Sequence, residues 1–340
     1  MPVKRKKNSI LEIAKKLNVS PTTISFVLNG KAKEQRVSDP VVKKILAYTQ
    51  KIGYKPNTFA QGLRTGKSKL IGLMIEDISN PFFANIARLI EDKAYENGYK
   101  IMYCSTHNNT EKAKDLIQMF KDCRVDGYII AATDGIELEI TRLLAEKEKV
   151  VLFDRHFKTI PADYIVINNE ESSFKAIAHL VANGFKNIAF ITTALKQLQM
   201  QDRLNGYKKG IKKYGLTPFL KKVPYTQDVE IINTEIEIFL KSNPKIDAVL
   251  FATNYLGVSG LEVIQRLGLK IPHDIGVIAF DDHVLFQLYN PPISSIAQPI
   301  EMISESIITT MLAKLNNGKT GQIKLEIPTT FIDRKSSQKK

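Results

Sequence analysis

The sequence predicts an all-α helix-turn-helix head followed by an α/β core of two doubly wound parallel-sheet lobes. Three observations carry this. Helical periodicity begins almost at once and breaks twice before Gly53; strands and helices alternate from Lys69 onward; and positive charge is concentrated in the first part of the chain. At 340 residues the chain exceeds the size at which one core stops growing, so two or three domains are expected. The net charge is +14, and residues 1–69 hold 13 Lys and 3 Arg against Glu12, Glu34 and Asp39, a net of +13. The other 271 residues are close to neutral. One small domain carrying almost the whole excess reads as a phosphate-binding footprint.

The head is read helix by helix. Ile10, Ile13, Ala14 and Leu17 recur at helical spacing behind Ser9, a good N-cap. Asn18-Val19-Ser20 breaks that helix; Ser20 then caps a second one, with Pro21 at its first position. In it Ile24, Val27 and Leu28 share one face, and Pro21, Thr22, Ser25, Phe26 and Asn29 the other. A third helix follows Ser38-Asp39-Pro40, with Val42, Ile45, Leu46, Thr49 and Ile52 as its stripe and Gly53 as its end. Three short helices, two of them joined by a three-residue turn, leave the second free to enter the major groove. Its short, uncharged outer face suits base edges, while Lys4 to Lys7, Lys15, Lys16, Lys31 and Lys33 can meet phosphates. An ordinary helical bundle with a basic surface is the competing reading.

Asn57 to Leu63 could form barely two helical turns, too few to stand alone in water, and Gly62 costs about 1 kcal/mol more. It orders only against a partner, or serves as a plain tether. Gly62 to Ser68 imitates a phosphate-binding loop but has three residues between its glycines where four are needed, and it precedes a strand.

In the remainder, Leu70 to Ile75, Lys100 to Cys104, Gly127 to Ala131 and Val150 to Phe153 read as strands, between helices at Phe82 to Asn97, Glu111 to Asp122 and Glu137 to Glu148. A second series begins near Tyr164, with helices at Glu171 to Asn183, Gln201 to Tyr214, Val229 to Lys241 and Gly257 to Leu267. Its strands are Ile188 to Thr192, Ala248 to Phe251 and Gly276 to Phe280. Repeated βαβ units imply parallel sheets with ligands at the carboxyl ends of strands. Asp77 to Phe83, Asp154-Arg155, Asn254 and Asp281-Asp282 sit at such ends. Hydroxyl-binding side chains beside aromatic faces suit a sugar or a similarly polar small molecule.

Other classes fit less well. No apolar run approaches the roughly 18 to 20 residues of a membrane span, and the basic start lacks a signal peptide's apolar stretch, so a cytoplasmic location is expected. Cys104 and Cys123 read as small core residues. The five histidines show no metal-ligand spacing, and neither a nucleophile elbow nor a dinucleotide loop is present, so no catalysis, metal or cofactor is expected. Adjacent carboxylates at Asp281-Asp282 should point apart, unlike an acid/base pair.

Ile10 to Ser25, Val27 to Gly30 and Gly53-Tyr54-Lys55-Pro56-Asn57 resemble the head of LacI/GalR transcription regulators. Asp77 to Phe83, Val125-Asp126-Gly127, Arg203 to Tyr207, Ile278 to Asp282 and Gln298-Pro299 resemble the same family, so the likeness covers nearly the whole chain. It implies a sequence-specific repressor controlled by a small effector, with a core similar to periplasmic sugar-binding proteins. Its domains would be a head at 1–56, a hinge at 57–68 and a core at 69–340. The lobes would be 69–162 with 296–324, and 163–295 with 325–334. Bases would face Pro21, Thr22 and Phe26, while Ser20, Thr23, Ser25 and Asn29 hold the DNA backbone. Leu63 would wedge between base steps, with Asn57, Ala60 and Gln61 beside it. Effector contacts would be Phe82, Phe83, Asp154, Arg203, Tyr225, Asn254, Asp281 and Gln298, with the Arg203 fork as anchor. Phe26 stands where the family usually has arginine, and Tyr255 where it commonly has aspartate. Implied partners are pseudo-palindromic double-stranded DNA, a carbohydrate-like effector and a second copy of the chain, as a homodimer or tetramer. Control by a phosphorylated carrier protein or a non-sugar ligand, or a role as a solute-binding protein, are the alternatives.

Overall fold

The computed structural model describes residues 9–54, 67–317 and 321–339. The chain divides into two compact units, Met1–Ser68 and Lys69–Lys340.

The first unit holds α1 (Ile10–Leu17), α2 (Pro21–Leu28) and α3 (Asp39–Lys51). Ser9 and Glu12 form a reciprocal capping box at the start of α1. Asn18 closes that helix in the left-handed conformation, φ 51°, which asparagine tolerates because its side chain is short and polar. Ile13, Leu17, Ile24, Val27 and Ile45 meet in the core. The expected α3 stripe is corrected at one position: Leu46 is 47% exposed, whereas Thr49 is buried as expected, its hydroxyl donating to the Ile45 carbonyl at 2.9 Å.

The second unit contains two six-stranded sheets of related order. The first is built from β1 (Leu70–Ile75), β2 (Lys100–Ser105), β3 (Gly127–Ile130), β4 (Val150–Phe153), β5 (Asp163–Ile167) and β11 (Lys324–Ile327). Its order is β11-β5-β4-β3-β1-β2, parallel throughout. The second holds β6 (Ile188–Thr193), β7 (Phe219–Val223), β8 (Ala248–Phe251), β9 (Gly276–Phe280), β10 (Ser294–Ala297) and β12 (Thr330–Ile332). Its order is β12-β10-β9-β8-β6-β7, with only β12 antiparallel. Position by position, β4 in one lobe matches β9 in the other.

Helices cover both sheets: α4 (Pro81–Glu96), α5 (Thr110–Asp122), α6 (Glu137–Ala145) and α12 (Ile300–Asn317) in the first lobe. In the second lie α7 (Asn169–Ala182), α8 (Leu198–Lys213), α9 (Val229–Ser242), α10 (Asn254–Arg266) and the short α11 (Val284–Leu288). The central strands β3, β4, β8 and β9 are buried end to end, as expected where helices pack on both faces.

Several expectations are corrected. The strand near Tyr164 belongs to the first sheet, because it pairs with β4, so the chain first crosses to the second lobe at residue 168 rather than 163. β11 likewise pairs with β5, so the final crossing comes after residue 327. The helix expected to reach Glu148 ends at Ala145, and Lys147 adopts φ 62° before β4 begins. An edge strand, β7, occupies a stretch in which no element was expected.

Candidate functional site

The outer side of α2 is made of short side chains, several of which hold the helix itself. Ser20 Oγ accepts from the Thr23 amide at 3.0 Å, and the two hydroxyls lie 2.8 Å apart. Asn29 Nδ2 donates to the Ser25 carbonyl at 2.7 Å and to Ser25 Oγ at 3.1 Å. Pro21 and Thr22 are exposed, while Phe26 is half-buried. Lys15, Lys16, Lys31 and Lys33 of the same unit are exposed. Lys44 Nζ instead donates to the Leu17 carbonyl at 3.0 Å, where a cation suits a helix carboxyl end. Asn57, Ala60, Gln61 and Leu63, and the Lys4 to Lys7 run, lie outside the described residues.

In the core, the carboxyl ends of strands from both sheets converge. Glu76 follows β1, Asp154 follows β4, Thr253 and Asn254 follow β8, Asp281 follows β9 and Gln298 follows β10. Asp154 and Asp281 occupy matching places in the two lobes and share left-handed backbone, φ 63° and 65°. Aspartate accepts that conformation better than most residues, and it turns the chain sharply off the strand. Side-chain amides join the lobes. Gln199 Nε2 donates to Asp154 Oδ2 at 3.2 Å, Gln197 Nε2 to Asn108 Oδ1 at 2.7 Å, and Asn254 Nδ2 to Asn80 Oδ1 at 3.4 Å.

Arg203, rising from α8, is 2% exposed. Its Nε donates to Asn169 Oδ1 at 2.8 Å and its Nη1 to the Ala252 carbonyl at 2.6 Å. The guanidinium lies 3.8 Å from the Phe280 ring centroid and 3.9 Å from Asp281. Two of its three nitrogens are therefore engaged inside the protein. Asp281 also accepts from Gln298 Nε2 at 2.6 Å, while Arg155, 3% exposed, pairs with Glu76 at 2.9 Å. Burial pushes the Asp154 carboxyl up to about 6, against the opposing pull of Arg155 and Arg203. Burial likewise raises Asp281, again opposed by Arg203. The neighbouring Asp282 turns the other way. Despite partial burial, its carboxyl is held below the usual range by a two-pronged pair with Arg334, at 2.7 and 2.9 Å, and by the Ser295 hydroxyl.

The eight expected effector residues fall into two groups. Phe82, Phe83, Asp154, Arg203, Asp281 and Gln298 line a pocket of about 30 Å³, room for about two waters. Tyr225 and Asn254 line a second cavity of about 730 Å³ that shares Glu76, Asn80 and Tyr255 with the first. Gln197, Gln199 and Thr193 belong to the smaller pocket, and His107 and Gln227 to the larger. None of these five was expected. The signal for Gln197 and Gln199 lay in two amides just beyond the end of a buried strand; His107 and Gln227 follow β2 and β7 and carry no comparable mark.

Among the described residues no group of His, Cys, Asp and Glu could hold a metal ion, and no helix is long and apolar enough to cross a membrane. A family model for bacterial regulatory proteins of the lacI family matches residues 9–57, and one for the periplasmic binding protein-like domain matches residues 177–337. The chain is 30% identical to catabolite control protein A of Priestia megaterium, over 92% of this chain and 93% of that protein. It is 27% identical to the HTH-type transcriptional repressor PurR of Aliivibrio salmonicida strain LFI1238, over 97% and 99%. It superposes on the lac repressor dimer bound to operator and the anti-inducer ONPF with a TM-score of 0.83, at 22% identity, covering 98% of this chain and 99% of that one. At that identity the superposition speaks for the fold. The helix-turn-helix, the paired parallel sheets and full-length relatives converge on one assignment: the chain belongs to the lacI family of bacterial regulatory proteins and is a DNA-binding transcriptional regulator.

Proposed function

We propose that the protein is a cytoplasmic repressor that binds a pseudo-palindromic operator as a dimer and is released by a small polar effector bound between the lobes of its core. The observation that carries this is the convergence of hydrogen-bonding side chains at strand ends of both sheets, joined across the lobes by Gln199–Asp154, Gln197–Asn108 and Asn254–Asn80. A ligand exchanging those contacts for its own hydroxyls would bind one lobe arrangement better than another, and only such differential affinity shifts DNA binding. On the DNA side, Pro21, Thr22 and Phe26 would meet base edges, with Ser20, Thr23, Ser25 and Asn29 holding the backbone. Asn57, Ala60, Gln61 and Leu63 would complete the contact. An aromatic ring at Phe26 can pack on a thymine methyl but cannot make the two-pronged guanine contact of an arginine. Relatives named as repressors support repression as the regulatory output. The test is an operator-fragment titration with and without added sugars, repeated with Asn254→Ala. The variant should bind operator as the native chain does and lose the sugar response. Release by sugar that is undiminished in Asn254→Ala would contradict the assignment.

A further inference from the structure

We infer that the effector is an uncharged glycoside of at least two rings, seated chiefly in the larger cavity with Tyr225 and Tyr255 as its apolar platforms. This rests on the reading that ligand binds between the lobes.

Space is the first argument. The smaller pocket is filled by the protein itself: Gln199 lies on Asp154, Gln298 on Asp281, and Arg203 on Asn169 and the Ala252 carbonyl. With those contacts in place its 30 Å³ holds no sugar ring. The adjoining cavity of about 730 Å³ lies in the upper part of the range of about 300–1,000 Å³ found for sites that enclose drug-sized ligands. A single ring would leave most of it to water.

Charge is the second. No Lys or Arg lines the larger cavity, whereas Glu76, Asp77 and Glu262 do. An anionic sugar would shed hydration beside three carboxylates with no Lys or Arg to meet it, only the imidazoles of His107 and His283. A cationic ligand fares little better, because two of those carboxylates already face a guanidinium. Glu76 pairs with Arg155 at 2.9 Å, Asp77 accepts from the Ser79 amide at 2.9 Å, and Glu262 pairs with Arg266 at 2.9 Å. An uncharged ligand meets neither difficulty.

Surface chemistry is the third. Two tyrosine rings with Pro81, Val258 and Leu285 supply apolar lining, while Asn80, Asn254 and Gln227 supply amides. A pyranose matches both, with C–H faces for the rings and hydroxyls for the amides. Burial raises the hydroxyl pKa of Tyr225 and Tyr255, with the Glu76 charge adding to it, so both rings stay neutral.

The native chain has no tryptophan, so Tyr225→Trp in the full chain creates a single fluorescent reporter inside the larger cavity. The probes are cellobiose, maltose, lactose and trehalose; glucose and galactose; glucuronate and glucose 6-phosphate; and spermidine. At least one disaccharide should raise the Tm of the native chain by about 5 °C at saturation and change the reporter's emission saturably. Its component monosaccharides should bind about tenfold more weakly or less (a difference of one log unit in affinity). A larger shift from an anionic probe or spermidine, a monosaccharide binding as tightly as its disaccharide, or silence from all four disaccharides would overturn the inference. If such a ligand loses its effect in Asn254→Ala, only the ligand class is wrong. If its effect persists in Asn254→Ala, Tyr255→Ala and Asp281→Asn alike, the cleft reading itself fails.

Discussion

Arg203 is buried and holds α7, β8 and β9 together through Asn169, the Ala252 carbonyl, Asp281 and the Phe280 ring, which leaves little of its fork to anchor a ligand's hydroxyls. Removing one partner of a buried ionic contact costs about 3–5 kcal/mol, since the other charge is left uncompensated. Arg203→Ala should therefore lower stability to denaturant by that order and weaken the ligand response only as a consequence. Denaturation curves showing native stability with a lost response would contradict this. Asp154 gives a pH test. Its carboxyl is raised to about 6, so between roughly pH 4 and 6 the folded state binds more protons than the unfolded one, and stability falls as pH rises through that window. Asp154→Asn should flatten the decline and gain up to about 3 kcal/mol at pH 7.5 relative to pH 4, measured by urea unfolding at both values. The identities of Asp154, Asp281 and Asn254 were legible because each follows a buried strand. Their partners were not. Gln199 reaches Asp154 from another lobe, and sequence spacing carries no trace of a contact made through topology.

Among the elements, the head was the most legible, because its boundaries are written in caps. Ser9 with Glu12 and Ser20 with Pro21 fix two helix starts. Ser20→Ala should cost the head about 1 kcal/mol through the lost bond to the Thr23 amide, and should weaken operator binding in proportion. Helix α8 offers a sharper case. At Gly206 it passes so close to α7 that an added Cβ would collide with the Glu170 carbonyl and the Ser173 side chain. Gly206→Ala should destabilise the core by about 1–3 kcal/mol, read from the unfolding midpoint at unchanged slope; an unaffected midpoint would mean the helices can part freely. Other elements hid for physical reasons. β7 is an edge strand reading Phe-Leu-Lys-Lys-Val, and its two lysines, half-buried Lys221 and exposed Lys222, break the apolar run that marks a buried strand. β5 lies where one series of units gives way to the next, and only its pairing with β4 assigns it to the first lobe.

At the scale of the molecule, the two compact units divide the work by charge. Nearly all the excess positive charge lies in the first 69 residues, so DNA affinity should fall linearly with the logarithm of salt concentration. A chain beginning at Lys69 should lose DNA affinity yet unfold cooperatively, since its three hydrophobic clusters contain no residue of the head. The doubly wound architecture was legible from the alternation of strands and helices. The division of the cleft into a filled pocket and a roomy neighbour was not, because it depends on how far the Gln199, Gln298 and Arg203 side chains reach. If the exposed face of α2 reads DNA sequence, selection of random duplexes by the full chain should show it, run beside a Pro21→Ala, Thr22→Ala double variant. The native chain should enrich an inverted repeat, and the double variant should relax the preference within each half-site while keeping non-specific affinity. Enrichment of the same motif to the same degree by both proteins, or of no motif by the native chain, would contradict the account.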